Sequence, residues 1–255
     1  MTTILEATPS SILDLIADVI EGGNAYASGT SYPGIPGLHS VLENVPTTLT
    51  ADSNGTTTTV VADDLSDTEA DRLVRSSDAP PIFLMCASGT ALNKGRARKL
   101  ASYSSGTYTT AAFAAATASA DTFTVLEGFK RAPDTAELRD DIAGHDRNFY
   151  IAAIPGERLP LYGNESHQYS ATLEITWRFL RYGRDRTVKD SLLDNLTRIR
   201  TILTRPSQAG GAAGNATLHA LFAEGSEPEI LVDDEMKVVV ADRYQMQYSV
   251  PSDFS

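Results

Sequence analysis

Tyr169-Ser170-Ala171-Thr172-Leu173-Glu174-Ile175-Thr176-Trp177-Arg178-Phe179-Leu180-Arg181-Tyr182 is the stretch on which the reading of the fold turns. Ala171, Leu173, Ile175, Trp177 and Phe179 fall on one side of an extended chain, and Thr172, Glu174, Thr176 and Arg178 on the other. Side chains of a strand alternate between two faces, so this pattern predicts a long strand with one buried and one wet face, as in an antiparallel sheet. Trp177 keeps step with Leu173, Ile175 and Phe179, which makes it a core residue rather than a ligand-stacking ring.

Working outward, the apolar run at residues 148–154, ended by Pro155-Gly156, predicts a strand buried on both sides or in mid-sheet. Downstream, Thr187 with Asp190 three residues later starts a helix, the acid suiting the positive end of the helix dipole. Val188, Leu192, Leu193, Leu196, Ile199, Ile202 and Leu203 follow at spacings of three and four, and Arg205-Pro206 closes it. The glycines at residues 210–214 predict a flexible loop, followed by strands at 229–232, 237–241 and 243–250. In the last of these, Tyr244, Met246, Tyr248 and Val250 share a face. Near the start of the chain, Ser10-Ser11 caps an amphipathic helix through Ile12, Leu13, Leu15, Ile16, Val19 and Ile20, which Gly22-Gly23 stops. Residues 24–46, rich in Gly, Ser, Tyr and Pro, predict an irregular arm.

Between Thr47 and Lys130 the composition shifts to Thr, Ser and Ala, with short β-prone pieces at 56–61, 82–86 and 122–126. Ser88-Gly89 and Ser105-Gly106 are turn signals, residues 66–74 a turn of helix, and residues 95–100 a strand start with its charges on the open side. Residues 131–147 form a charged connector. The expected fold is therefore α+β: an antiparallel sheet with two helices on one face, plus an inserted all-β domain, a small barrel or sandwich. The expected boundaries are 1–46 and 131–255 for a discontinuous main domain, and 47–130 for the insertion.

A chain of 255 residues with 42% hydrophobic content can bury a substantial core. No run of residues is apolar and long enough to cross a bilayer, and the opening residues lack the pattern of a secretory signal, so synthesis in the cytosol is expected. Cys86, the one cysteine, lies within an apolar run and suits a buried thiol. The formal charge of −12 argues against a surface that grips nucleic acid, although arginines bunch between Arg178 and Arg205.

The residues that usually carry chemistry do not converge. His39, His145, His167 and His219 stand singly, without the spacing that puts two imidazoles on one zinc ion. Asp63-Asp64, Asp140-Asp141 and Asp233-Asp234-Glu235 read as turns or solvated loops rather than cation ligands. No nucleophile elbow, phosphate-binding glycine loop or dinucleotide fingerprint is present. No catalytic, cofactor-binding or metal-ligating residue is assigned, and no enzyme activity is expected.

The order of the long strand ending Trp177-Arg178-Phe179-Leu180, one amphipathic helix at 187–204, a variable loop and a closing strand at 243–250 resembles the tail-terminator, or tail-completion, family of long-tailed bacteriophages. The helix near the start of the chain matches that family's opening element. The middle segment departs from the minimal pattern and resembles small β domains that decorate phage structural proteins. The resemblance implies a subunit made in the host bacterium's cytoplasm that forms a ring, usually of six copies, at the head-proximal end of the virion tail. Its partners would be itself, the tail-tube protein and the head-tail stopper or connector, with DNA passing through the lumen unbound and no membrane involved. An acidic lumen suits that passage, because like charge lets the duplex slide. Arg181, Arg184 and Arg186, with Glu165 and His167 in the polar loop before the long strand, are the expected interface residues. Two alternatives stand beside this: another neck protein or minor tail component, and a small-molecule hydrolase or binding protein with a pocket between insertion and main sheet.

Overall fold

The computed structural model of the chain describes residues 5–6, 8–21, 48–76, 79–132, 148–159, 166–180, 196–197, 200, 203–204, 211–213, 216–225, 227–233 and 237–251. In chain order the elements are β1 (Leu5–Glu6), α1 (Ser10–Ile20), β2 (Thr48–Thr50), β3 (Thr59–Val61), α2 (Asp67–Leu73), β4 (Ile82–Ser88), β5 (Ala97–Ser104), β6 (Thr107–Thr110), β7 (Thr122–Glu127), β8 (Lys130–Arg131), β9 (Asn148–Ala153), β10 (Gly156–Arg158), β11 (Ser166–Leu180), β12 (Gly211–Ala213), β13 (Ala216–Ala223), β14 (Glu229–Asp233) and β15 (Lys237–Pro251). Strand predominates and, among the described residues, the strand pairings are antiparallel, which with the two helices makes the class α+β. Two compact units result: one of Met1–Val19, Gly23–Tyr32 and Arg131–Ser255, the other of Ile20–Gly22 and Pro33–Lys130.

The first unit is organised by β11 and β15. They pair without a register break from Ser166↔Pro251 to Leu180↔Lys237. The sheet runs β1-β10-β11-β15-β13-β12, with β9 also on β11, β8 on β9, and β14 on β15. The alternation seen in the sequence is the reason the register holds: Leu173, Ile175 and Trp177 face the same way as Val240, Tyr244 and Met246, and all six are fully buried. A slip by one residue would turn this whole set to solvent, at about 1.5–3 kcal/mol for each large apolar side chain. Phe149 packs on Trp177 with ring centroids 5.4 Å apart, and Tyr169 stacks on Tyr248 at 5.3 Å.

Several elements differ from the expectation. The serines at the start of α1 lie within its first turn, not ahead of it, and the Ile12 amide bonds the Pro9 carbonyl at 3.1 Å. The expected strands 237–241 and 243–250 are one strand, because Asp242 between them is buried with partners of its own. Residues 211–213 of the expected glycine loop form β12, since small residues permit a close hairpin onto Ala216–Leu218. Ala216–Ala223, not anticipated, is a strand, as are the two short ones, β1 and β10. Arg178, expected on the wet face, is fully buried, whereas Ile154, expected in mid-sheet, is exposed just beyond the end of β9. Residues 24–46, most of the 131–147 connector and most of the helix expected at 187–204 lie outside the described residues; within that helix, Leu196, Thr197, Arg200 and Leu203 have helical backbone.

The second unit is a six-stranded antiparallel sheet in the order β2-β7-β4-β5-β6-β3. Leu49, Val60, Leu84, Cys86, Tyr108, Phe123 and Val125 fill its interior together with Leu65, Ala70 and Leu73 from α2 and the segment before it. The Ser66 amide and hydroxyl both donate to Glu69 Oε2, at 3.0 and 2.6 Å, which fastens the first turn of α2. The β5–β6 turn is made by Ser105 and Gly106, both at positive φ. Arg98, expected on the open side of its strand, is buried: its Nε donates to the Ala112 carbonyl at 2.5 Å, and its guanidinium lies 5.7 Å from the Phe113 ring centroid.

Candidate functional site

β13 and β14 lie end to end along one side of β15. β13 pairs with its residues 244–249 and β14 with its residues 238–241, so together they form one interrupted edge strand. Between them the chain turns at Gly225, with φ of +75°. β12 covers only the first three residues of β13. Among the described residues no strand pairs with the outer side of the rest of β13 or with β14. An edge of this kind presents amide and carbonyl groups to whatever lies alongside.

What the edge displays is unusual for a surface in water. Phe222, Ile230 and Leu231 are 52%, 39% and 48% exposed, and they are three of the six exposed large hydrophobic residues among those described. Leu231 has no partner on β15, because the register shifts between Ile230 and Val232 and the extra residue is pushed out. Around these apolar groups stand the exposed acids Glu224, Glu227, Glu229 and Asp233. Phe222 lies opposite Gln245 on the outer face and Ile230 opposite Val240 on the core face, so the apolar groups flank the edge on both sides. Exposed apolar side chains beside charge at an unpaired edge suit a surface that meets another macromolecule.

The sheet behind the edge is braced on both faces. On the outer face Arg243 donates from Nε to Glu174 Oε2 at 2.8 Å and reaches Glu229 Oε2 from Nη1 at 3.4 Å. The hydrogen bond to Glu174 and the charges of Glu174 and Glu229 raise the Arg243 guanidinium further above its already high pKa. On the buried side, Arg200 donates to Asp242 Oδ1 from Nε at 2.8 Å and from Nη2 at 2.5 Å, and the Tyr244 hydroxyl donates to Oδ2 at 2.5 Å. Arg200 Nη1 also donates to the Gly225 carbonyl at 3.4 Å, which ties the turn at Gly225 to the core.

Of the expected interface residues, His167 is near the start of β11, half-buried and paired with Val250; the Arg158 guanidinium donates to its Nδ1 at 2.5 Å. Glu165, Arg181, Arg184 and Arg186 lie outside the described residues. The histidines His167 and His219 are apart in role, the latter's Nε2 sharing a hydrogen bond with Ser249 Oγ at 2.9 Å. Among the described residues no group of three or more His, Cys, Asp or Glu side chains is placed to hold a metal ion. No helix among them is long and apolar enough to cross a membrane. Trp177 is fully buried in the sheet core, and the buried Cys86 thiol donates to the Ser88 carbonyl at 3.4 Å. Burial first, and the charge of Asp121 second, push that thiol's pKa up.

The acid-apolar edge was missed in the sequence. Its signal is present in Glu227-Pro228-Glu229-Ile230-Leu231-Val232-Asp233, but a run of three aliphatic residues is also what a buried strand looks like. No known protein-family pattern matches this chain, and no curated protein matches it.

Proposed function

We propose that this chain is a structural virion subunit that assembles with copies of itself into a ring at the head-proximal end of a long-tailed phage tail. There it ends growth of the tail tube and joins the tail to the head connector, and it performs no chemistry of its own. The observation that carries the reading is the interrupted edge strand with Phe222, Ile230 and Leu231 exposed on it, a surface suited to burial against another subunit. The resemblance of the strand-helix-loop-strand order to the tail-terminator family supplies the position in the virion. A formal charge of −12 suits a lumen through which duplex DNA slides without being held. Glu165, His167, Arg181, Arg184 and Arg186 belong to the subunit contacts in this reading.

In the same proposal the second unit is a small closed barrel decorating the ring subunit. The support is local: Ser53, just beyond edge strand β2, bridges Val61 of β3 at the opposite end of the strand order, and the Asp52 amide donates to the Val61 carbonyl at 2.9 Å.

Light scattering and negative-stain imaging of the purified chain over a wide concentration range test the proposal. Rings of six with a central hole wide enough for duplex DNA are the expected result. A monomer that persists at every concentration overturns it, and rings of another symmetry transfer the chain to a different position in the neck.

A further inference from the structure

Among the described residues the six exposed large hydrophobics include Leu92, which at 62% is the most exposed of them and stands far along the chain from the edge strand. It lies on the tip of the loop that joins β4 to β5, and that loop is built rigidly. Thr90 donates its amide and hydroxyl to the two oxygens of Asp121, each at 2.8 Å. The fully buried Asn93 side chain exchanges two hydrogen bonds with the backbone of Ala115, both at 3.0 Å, and the Gly95 amide bonds the Cys86 carbonyl at 2.7 Å. A leucine held out into solvent by a loop that is already ordered loses little conformational freedom on docking, which is the property of an anchor residue.

The charge around this leucine is of the opposite sign to that of the chain. Lys94 and Arg96, in the same loop, are exposed and make no ion pair among the described residues, in a protein whose formal charge is −12. The exposed β14 edge has the complementary composition: Ile230 and the unpaired Leu231 follow directly on Glu227 and Glu229, with Asp233 beyond them. We propose that the Leu92 loop of one copy docks on the β13–β14 edge of a second copy, with Leu92 against Ile230 and Leu231, and with Lys94 and Arg96 facing Glu227 and Glu229. The contact joins two different patches, so it is head-to-tail, the type of interface that closes into a ring when the rotation between subunits permits. Like-charged copies of this chain repel one another at long range, and pairing its basic loop with its acidic edge selects one orientation out of many. The inference rests on the reading of the chain as a self-assembling subunit and names the contact that reading requires.

The test compares the full chain with Leu92→Asp, with Lys94→Glu/Arg96→Glu, with Glu227→Lys/Glu229→Lys, and with all four charges reversed together, by light scattering at matched concentrations. Circular dichroism checks that each variant is folded, as expected for changes at exposed side chains. The first three variants are expected to need at least about tenfold more protein for the same degree of assembly, and the fourfold reversal to recover most of the loss. Wild-type assembly that is indifferent to Leu92→Asp and to both reversals overturns this contact and leaves the ring proposal standing. Losses that the fourfold reversal does not repair overturn the pairing of these two patches. A wild-type chain that never assembles overturns both proposals.

Discussion

Arg200 and Asp242 form a buried ion pair in which two guanidinium nitrogens, Nε at 2.8 Å and Nη2 at 2.5 Å, donate to one carboxylate oxygen. Asp242 is fully buried in the middle of β15, and Tyr244, two residues on, donates its hydroxyl to the other oxygen at 2.5 Å. These bonds account for an acid buried between Val240 and Tyr244 on the core face of the strand.

Removing one member of the pair leaves the other buried and uncompensated. Asp242→Ala is expected to destabilise the first unit by roughly 3–5 kcal/mol, and the double variant Arg200→Met/Asp242→Leu by much less, because both charges leave together. Urea unfolding followed by the fluorescence of Trp177, the one tryptophan, measures this. Equal losses in the two variants would show that the pair is not the source of the effect.

Gly89 has a φ of +108°, and a Cβ placed there would meet the Asp121 carboxylate and backbone. Gly89→Ala is expected to destabilise the second unit by about 1–3 kcal/mol through strain and through loss of the bonds from Thr90 to Asp121. Far-UV circular dichroism in urea reads the change. Gly95→Ala separates strain from collision, since its φ is also positive at +75° but nothing lies within 4 Å, and it should cost less.

Two carboxyl groups of the second unit give pH dependences of opposite sign. The Ser66 hydroxyl and amide lower the pKa of Glu69 from its ordinary 4.5, so its contribution is full above that value and is lost as pH falls through the folded value. Asp63 is raised from its ordinary 3.8, first by its hydrogen bond with Asp52 and then by that residue's charge. Its contribution is full below 3.8 and is lost as pH rises through the folded value. At pH 7 Glu69→Gln should therefore lower the melting temperature and Asp63→Asn raise it. Both differences should shrink in acid, and a melting curve at each pH decides the signs.

The Cys86 thiol should resist alkylation in the native protein at pH 8 and react readily in urea, since burial both shields the sulfur and holds its pKa up. Mass spectrometry after brief exposure to iodoacetamide reads this, and rapid native labelling would contradict the burial.

What the sequence determined by itself was whatever depends on near neighbours in the chain. The two-residue period at Ala171, Leu173, Ile175, Trp177 and Phe179 identified the central strand, because alternation is a property of the extended backbone. The spacing of Ile12, Ile16 and Ile20 identified α1 for the same reason. Ser105-Gly106 identified a turn, because positive φ admits few residue types.

Tertiary structure alone decided whatever depends on a partner far away in sequence. Asp242 looked like a break between two strands until Arg200, 42 residues earlier, gave its charge a counterpart. Arg178 and Arg98 read as surface charges by composition, yet both are buried, Arg98 against Ala112 and Phe113 of a later segment. Glu229 to Asp233 had the composition of a strand but no mark of being an edge. Edge and centre differ only in whether a second strand lies alongside, and hydrogen bonding across strands is not encoded in the residues of one strand. The exposed β13–β14 edge and the Leu92 loop, which the proposed contact would join, become visible only once folding has exposed both.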